Sequence, residues 1–156
     1  MAMQTPESPA AARPDVRYAG FWIRVLAALI DTVFLTALII PPLLLIFGPR
    51  YFSRTDLSLH PADVFLNWVL PFALWMAFWL RKSATPGKMV LGLKIVDAAT
   101  FGKPTAGRFV LRYLGYFVST LPLGIGLIWA GWDDRKRGWH DFIAGTVVIR
   151  GEPGGP

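Results

Sequence analysis

No cysteine occurs in the chain, so disulfides, thiolate chemistry and cysteine-based zinc sites are excluded, and cysteine usage assigns no redox compartment. Histidine is nearly as scarce. His60 and His140 are the only two, they fall in different loops, and no metalloprotease motif surrounds either. Charge is sparse too: charged residues make up 17% of the chain, against about 25% in soluble domains. The ten acids are outnumbered by sixteen Lys and Arg. What fills the chain is apolar, 54% hydrophobic with seven Trp and eleven Phe, at a mean hydropathy of +0.45. The net charge of +6 does not point to nucleic acid, because the basic residues flank apolar segments and no nucleic-acid motif accompanies them. At 156 residues the length allows one domain.

Residues 1–18 are polar and rich in Pro, Ala and Ser, as in Thr5-Pro6-Glu7-Ser8-Pro9, and read as a disordered tail. They do not read as a signal peptide, because the apolar run that follows begins too late and is too long for one. The first helix is therefore expected to stay as an uncleaved anchor. Residues 19–150 read as a membrane domain and residues 151–156 as a flexible tail.

The expected fold is an all-α integral membrane protein. A small bundle would hold two full transmembrane helices and a third apolar segment that spans or is re-entrant, with short β-prone cytoplasmic segments. The first span covers Phe21 to Phe47, with Pro41-Pro42 expected to bend or stop its far end. The second runs from Asp63 to Leu80 and is closed by Arg81-Lys82. Trp68, Trp75 and Trp79 are candidates for an interfacial belt. Between Arg81 and Arg108 lie Lys82, Lys88, Lys94 and Lys103 against Asp97 alone, which places this loop, and with it the N-terminus, in the cytoplasm. The third segment, Phe109 to Trp132, is long enough to cross. However, Pro122, Gly124 and Gly126 can break it into pieces of re-entrant length, and Arg135-Lys136-Arg137 behind it prefers the cytoplasm. Met89 to Val96 and Thr146 to Arg150 are short and β-prone. If they pair, both lie on the cytoplasmic side.

Arg24 and Asp31 are built into the first span. A charge at mid-membrane costs about 2.5–3.5 kcal/mol on insertion scales, so it is rarely left without a partner. The pair projects from nearly one side of the helix but about 10 Å apart along its axis, too far for a comfortable ion pair. Each is expected to seek a partner on another segment.

Three stretches resemble the RDD family of bacterial membrane proteins, named for one arginine and two aspartates. They are the opening helix from Ala19-Gly20-Phe21 to Asp31, the loop Thr85-Pro86-Gly87-Lys88-Met89-Val90-Leu91-Gly92-Leu93-Lys94-Ile95-Val96, and Asp134-Arg135-Lys136-Arg137-Gly138-Trp139-His140-Asp141-Phe142-Ile143-Ala144-Gly145-Thr146. By that resemblance Arg24 and Asp31 are the arginine and first aspartate, and the second aspartate is Asp134 or Asp141. The resemblance implies a bacterial cytoplasmic (inner) membrane protein, multi-pass, with transport of an unidentified ligand as the usual suspicion.

Chemistry is weighed residue by residue. Asp31, roughly 15 Å into its helix, is either a titrating group of a transport site or a buried polar clamp that fixes packing. Arg24 either snorkels to the interface or makes a bidentate pair with Asp134 or Asp141. Arg112 either binds lipid head groups or reaches Asp31. Thr32 and Asn67 either make helix-packing hydrogen bonds or join Asp31 as oxygen and amide ligands of a hard cation. Thr85-Pro86-Gly87-Lys88 is not a phosphate loop, since the first glycine and the hydroxyl after the lysine are missing. It reads as a turn whose Lys88 can lie on anionic lipid. His140-Asp141 and Asp133-Asp134 read as solvent-facing charges or a helix cap rather than a catalytic pair or metal site.

A component of transport or ion and proton exchange leads, using an intramembrane Arg/Asp site. The alternative is a membrane scaffold or accessory subunit whose buried charges specify assembly. No enzyme activity, metal or cofactor is expected. The expected partners are the lipid bilayer, further copies in a homo-oligomer, and an ion or small solute.

Overall fold

The computed structural model describes residues 16–53 and 60–151. The tail readings at residues 1–15 and 152–156, and Arg54 and Asp56 of the first loop, lie outside them. Two compact units divide the chain, one of residues Trp22–Gly92 and one formed by Met1–Phe21 with Leu93–Pro156.

In the first unit a 27-residue helix, α1 (Phe21–Phe47), turns back at Gly48. Gly48 adopts a left-handed φ of 71° and its N–H closes on the Leu44 carbonyl at 2.9 Å, a glycine stop that other residues reach only with strain. The helix runs through Pro41 and Pro42 instead of stopping there. In an apolar segment there is no water to satisfy the backbone of an opened end, so helix is kept and two donors are lost rather than a whole turn.

After a 3-10 turn at Pro49–Ser53, the chain returns as α2 (Pro61–Val64), a π turn (Phe65–Val69) and α3 (Leu70–Lys82). Pro61 starts α2 and the His60 ring accepts the Ala62 N–H at 3.2 Å. The Leu70 N–H reaches back to the Phe65 carbonyl, the wide bond that makes the π turn, just ahead of Pro71. Proline clashes with the carbonyl four residues before it, and one inserted residue relieves that clash without ending the helix. The return path packs antiparallel on α1. Ile39, Leu43 and Leu66 form a buried cluster at one end, and Phe34 meets Phe78 edge-on at 6.3 Å nearer the other. Ser83 ends α3 at φ 52°, and a short helix, α4 (Pro86–Val90), follows. The sequence had placed a turn at Pro86-Gly87 and a β-prone run from Met89; helix takes Met89 and Val90 because Pro86 fits a first helical position.

The second unit holds an antiparallel pair, β1 (Leu93–Asp97) and β2 (Thr146–Arg150), in the register Leu93↔Arg150 to Asp97↔Thr146. Residues 17–19 flank β2 on its other edge, with Ala19 N–H to Val148 O at 2.9 Å and Arg150 N–H to Arg17 O at 2.8 Å. Val96, Phe101, Val147 and Ile149 form its apolar core. Between the strands run α5 (Ala106–Thr120), α6 (Ile125–Ile128) and α7 (Trp139–Ala144). The third apolar segment is broken: Ala106–Thr120 and Ile125–Gly131 meet at 115°. Leu123 and Gly124 make that corner with φ of 54° and 78°.

Two helical stretches, Phe21–Phe47 and Pro61–Val90, are long and apolar enough to cross a membrane, and the bent pair makes a third if it counts as one span. The distribution of polarity fits a bilayer. α5 buries Arg112, Gly115 and Ser119 while exposing Val110, Leu111, Leu114, Phe117 and Val118. α1 buries Asp31 and exposes Leu26, Leu29 and Val33. Water would drive the reverse arrangement; lipid tolerates apolar faces outside and demands that polar groups be matched within.

Candidate functional site

Two of the buried acids, one in each unit, gather their own sets of partners. In the first unit the acid is Asp31, 8% exposed. Its Oδ2 accepts from the Thr85 hydroxyl at 2.5 Å and its Oδ1 from the Gly87 N–H at 2.7 Å. Thr85 is the residue before α4 and Gly87 lies in its first turn. Asp31 therefore acts as the N-cap of a helix more than fifty positions downstream, filling the place that a capping side chain usually takes from within. A helix start carries partial positive charge, which favours a carboxylate there.

The tetrapeptide Thr85-Pro86-Gly87-Lys88 acquires physical reasons from this contact. Thr85 is extended (φ −86°, ψ 164°) and supplies a hydroxyl donor. Pro86 presets the first helical φ. Gly87 sits against α1 so closely that a Cβ would collide with the Ala27 carbonyl and lie 3.0 Å from the Asp31 carboxyl carbon. Lys88 is buried at 7% exposure, with its Nζ 3.5 Å from the Thr85 hydroxyl, which itself bonds Asp31. Its expected place on a lipid surface is not where this side chain lies, because the short helix turns it inward.

In the second unit the acid is Asp141. Arg112 and Asp141 are both fully buried, and Arg112 Nη1 donates to Asp141 Oδ1 and, at 2.6 Å, to the Thr146 hydroxyl. Asp141 Oδ2 accepts the Gly138 N–H at 3.0 Å, closing the start of α7 on itself. His140 stacks on Tyr116 with ring centres 4.1 Å apart, and its Nε2 lies 3.6 Å from Asp141 Oδ2. Small residues let these helices approach. A Cβ on Gly115 would lie 2.8 Å from His140 Cα, and one on Gly126 2.7 Å from Ser119 Cα. Ser119 accepts the His140 N–H at 3.0 Å and donates to the Gly115 carbonyl at 2.8 Å. Serine, histidine and aspartate are thus neighbours, but a hydroxyl already spent on a backbone carbonyl in a fully buried position is not an exposed nucleophile.

Around this core, arginines tie loops to backbone. Arg108 Nη1 donates to the Gly145 carbonyl and pairs with Asp97 at 2.9 Å. Arg135 Nη2 donates to the Ala98 carbonyl at 2.6 Å. Asp133 gathers the Asp133–Arg137 loop: its Oδ2 accepts from the Arg135 and Arg137 N–H groups and from Arg137 Nε at 2.9 Å, and its Oδ1 accepts from Arg137 Nη2 at 3.1 Å. Burial pushes the Asp133 carboxyl up, but the hydrogen bonds and charge of Arg137 with the Arg135 N–H outweigh it and hold Asp133 below the usual carboxylate range.

The remaining sequence candidates separate. Arg24 is half-buried and Asp134 exposed. Asp141, proposed as a partner for Arg24, is paired with Arg112, and Arg112, proposed to reach Asp31 or lipid, is enclosed with Asp141. Thr32 donates to the Ala28 carbonyl of its own helix at 2.9 Å. Asn67 joins Asp63 at 2.7 Å and Tyr51 at 3.1 Å. Asp31, Thr32 and Asn67 are therefore not brought together as a cation cage, since each spends its polar atoms elsewhere. His140 and Asp141 are buried rather than solvent-facing, with Asp141 closing a helix start. Tyr51, Asp63, Ser119 and Thr146 were not singled out from the sequence. The Gly115-x-x-x-Ser119 spacing was the available signal for one of them. Among the described residues no group of three or more His, Asp and Glu gathers to hold a metal ion.

The sequence is similar to those of known proteins. The RDD family profile matches residues 18–145. The membrane protein YteJ of Bacillus subtilis, whose name describes it as uncharacterized, is 31% identical over 137 residues, 85% of this chain and 80% of that one. The uncharacterized protein YckC of the same organism is 30% identical over 140 residues, 87% of each. An uncharacterized protein of Rickettsia prowazekii is 44% identical over 75 residues; the match covers 48% of this chain and spans 41% of the Rickettsia protein. No solved structure matches.

Proposed function

The chain belongs to the RDD family of membrane proteins, and from that premise we propose that it is a multi-pass scaffold or accessory subunit of the bacterial inner membrane whose buried acids lock its helices in place. One observation carries the reading: Asp31 Oδ1 caps α4 through the Gly87 N–H while its Oδ2 holds the Thr85 hydroxyl. An acid used in this way couples the first membrane helix to the loop behind the second. The fully buried Arg112–Asp141 pair follows the same logic, a polar match inside an apolar exterior. In this reading the basic loop from Arg81 to Arg108 faces the cytoplasm and the N-terminus lies on the same side.

A second reading keeps transport, favoured by the adjacency of the Asp31 carboxylate, the Thr85 hydroxyl and the buried Lys88 ammonium within an apolar unit. Ionisable groups at such depth mark ion and proton pathways by default. A chain with so few spans would then work as a homo-oligomer, because two or three helices enclose no pathway alone.

Asp31→Asn separates the readings. The amide keeps the shape but turns one acceptor into a donor facing a donor. As a clamp, the variant unfolds at lower denaturant and the parent carries no proton, Na⁺ or K⁺ flux in proteoliposomes. As a transport site, the variant keeps its stability and loses a flux that the parent shows. Parent flux with full stability in Asp31→Asn would remove the scaffold reading.

A further inference from the structure

The ends of the third apolar segment are tied together. β1 ends at Asp97, β2 begins at Thr146, and these two residues are direct partners in the sheet, so the chain leaves and returns at points about 5 Å apart. Exposed Arg17 and Arg150, whose backbones pair at the edge of the same sheet, keep it on the aqueous side of a membrane. A single crossing between Asp97 and Thr146 would part them by the roughly 30 Å of the hydrocarbon core. The number of crossings between them is therefore even. Two are excluded by length, since α5 has 15 residues and the returning α6 and α7 have four and six, whereas a helical span takes about 20. The outward face of the segment is nonetheless apolar. Between Phe109 and Trp132 the one charged residue is Arg112, and it is fully buried. Leu111, Leu114, Phe117 and Val118 are exposed along α5, and at the corner Leu121 is 82% and Leu123 94% exposed. Even the exposed Thr120 turns its hydroxyl back on the Tyr116 carbonyl at 2.8 Å. Charge returns at the two ends, with Arg108 before the stretch and Asp133 to Arg137 behind it.

We propose that α5, the Leu123-Gly124 corner and α6 form a re-entrant wedge that crosses no membrane and is seated in one leaflet of the bilayer, on the side that bears the sheet. The corner is its deepest point, and Arg108 and the stretch from Asp133 to Arg137 stay at headgroup level. Acyl chain rather than protein covers the exposed face, because the same sheet leads directly into a span. Ala19 bonds β2, and α1, long and apolar enough to cross, begins two residues later. At most about 7 Å of chain therefore separates sheet from span, which holds the sheet at the membrane surface. The dimensions agree. From Arg108 to Thr120 the helix rises about 18 Å, against about 15 Å for half of the hydrocarbon core. Such a wedge suits a scaffold and a transporter alike, and does not depend on which side is the cytoplasm.

Because the full chain has no cysteine, single cysteines test both halves of this. Lys103→Cys and Asp134→Cys, at exposed positions on either side of the segment, are expected to react with an impermeant maleimide from the same side of the membrane in cells, whichever side that is. In proteoliposomes a nitroxide on Leu123→Cys is expected to collide with oxygen in preference to a water-soluble nickel chelate, and one on Asp134→Cys to show the reverse. Leu121→Cys supplies the same reading if Leu123→Cys fails to fold. Labelling of Lys103→Cys and Asp134→Cys from opposite sides would restore a full crossing. A Leu123 label as open to the chelate as the Asp134 label would take the corner out of the bilayer, and one shielded from both oxygen and chelate would show it covered by protein. Any of these three results overturns the proposal.

Discussion

Breaking the Arg112–Asp141 pair from one side should cost far more than breaking it from both. Each partner is fully buried, and Arg112 also bonds Thr146 while Asp141 also bonds the Gly138 N–H. Arg112→Met keeps much of the stem's packing but strands a carboxylate. Asp141→Asn keeps the shape and the bond to Gly138 but strands a guanidinium. A stranded buried charge costs about 3–5 kcal/mol, whereas replacing both members of such a pair by well-packed neutral groups is often close to neutral. The single variants are therefore each expected to lose about 3–5 kcal/mol, a large share of the 5–15 kcal/mol typical of a folded domain. The double variant should lose no more than either single one, which implies a coupling of at least 3 kcal/mol, at the upper end of what contacting residues show. Equilibrium unfolding in mixed micelles, read by tryptophan fluorescence, measures the cycle. Single losses below about 1 kcal/mol, the scale of an exposed pair, or strictly additive losses in the double variant, would refute the idea that this pair works as a unit.

Gly87→Ala should destabilise by about 1–3 kcal/mol, as overpacking does, because the new methyl meets the Ala27 carbonyl; Gly20→Ala, with open space around it, is the control in the same unfolding assay. Thr85→Val should lose about 1–3 kcal/mol by removing a buried hydroxyl from Asp31, and an unchanged midpoint would show that Asp31 does not depend on it. Because the folded Asp133 carboxyl lies below its usual range, its contribution is present above the unfolded value of about 3.9 and is lost as pH falls below that through the folded value. Asp133→Asn should flatten that acid limb in midpoints measured across it. For orientation, cysteines at the exposed positions Lys82 and Lys103 should label only from the cytoplasm and one at Ser53 only from outside, and external labelling of Lys82→Cys would reverse the assignment.

Single-helix geometry explains which parts were legible in advance. The start of α1 at Phe21, the charges Arg24 and Asp31 within it and the weakness at Pro122 and Gly124 all follow from hydropathy and backbone chemistry of adjacent residues. Partners were not legible. Spacing on α1 says that Asp31 needs a donor, but its donors lie 54 and 56 positions away, and nothing local to Asp31 names them. Thr85-Pro86-Gly87-Lys88 was legible only as a turn lying on anionic lipid, since a glycine required by close approach looks the same in sequence as a glycine in a turn. Arg112 was misread for a related reason: a basic residue near the start of an apolar run normally marks an interface, and only the fold brings Asp141 to it. Pro41 and Pro42 were expected to bend or stop the far end, but the helix runs on to Phe47, since an opened end in an apolar surrounding finds no water for its backbone.

The order in which these partners leave the ribosome follows from the same distances. Asp31 emerges long before Thr85 and Gly87, yet α1 needs no help to enter the bilayer. A central aspartate costs about 2.5–3.5 kcal/mol, whereas each Leu, Ile, Phe or Val gains about 0.3–0.6, and the helix carries many of them. α5 is in a different position. It has 15 residues, about 22 Å of helix against a hydrocarbon core near 30 Å, and it carries Arg108 and Arg112. Its Arg112 finds its counter-charge only in Asp141, 29 positions later. Were α5 to enter the bilayer, its entry would be a second event, later than that of α1, because it would wait for Asp141 to bring the counter-charge.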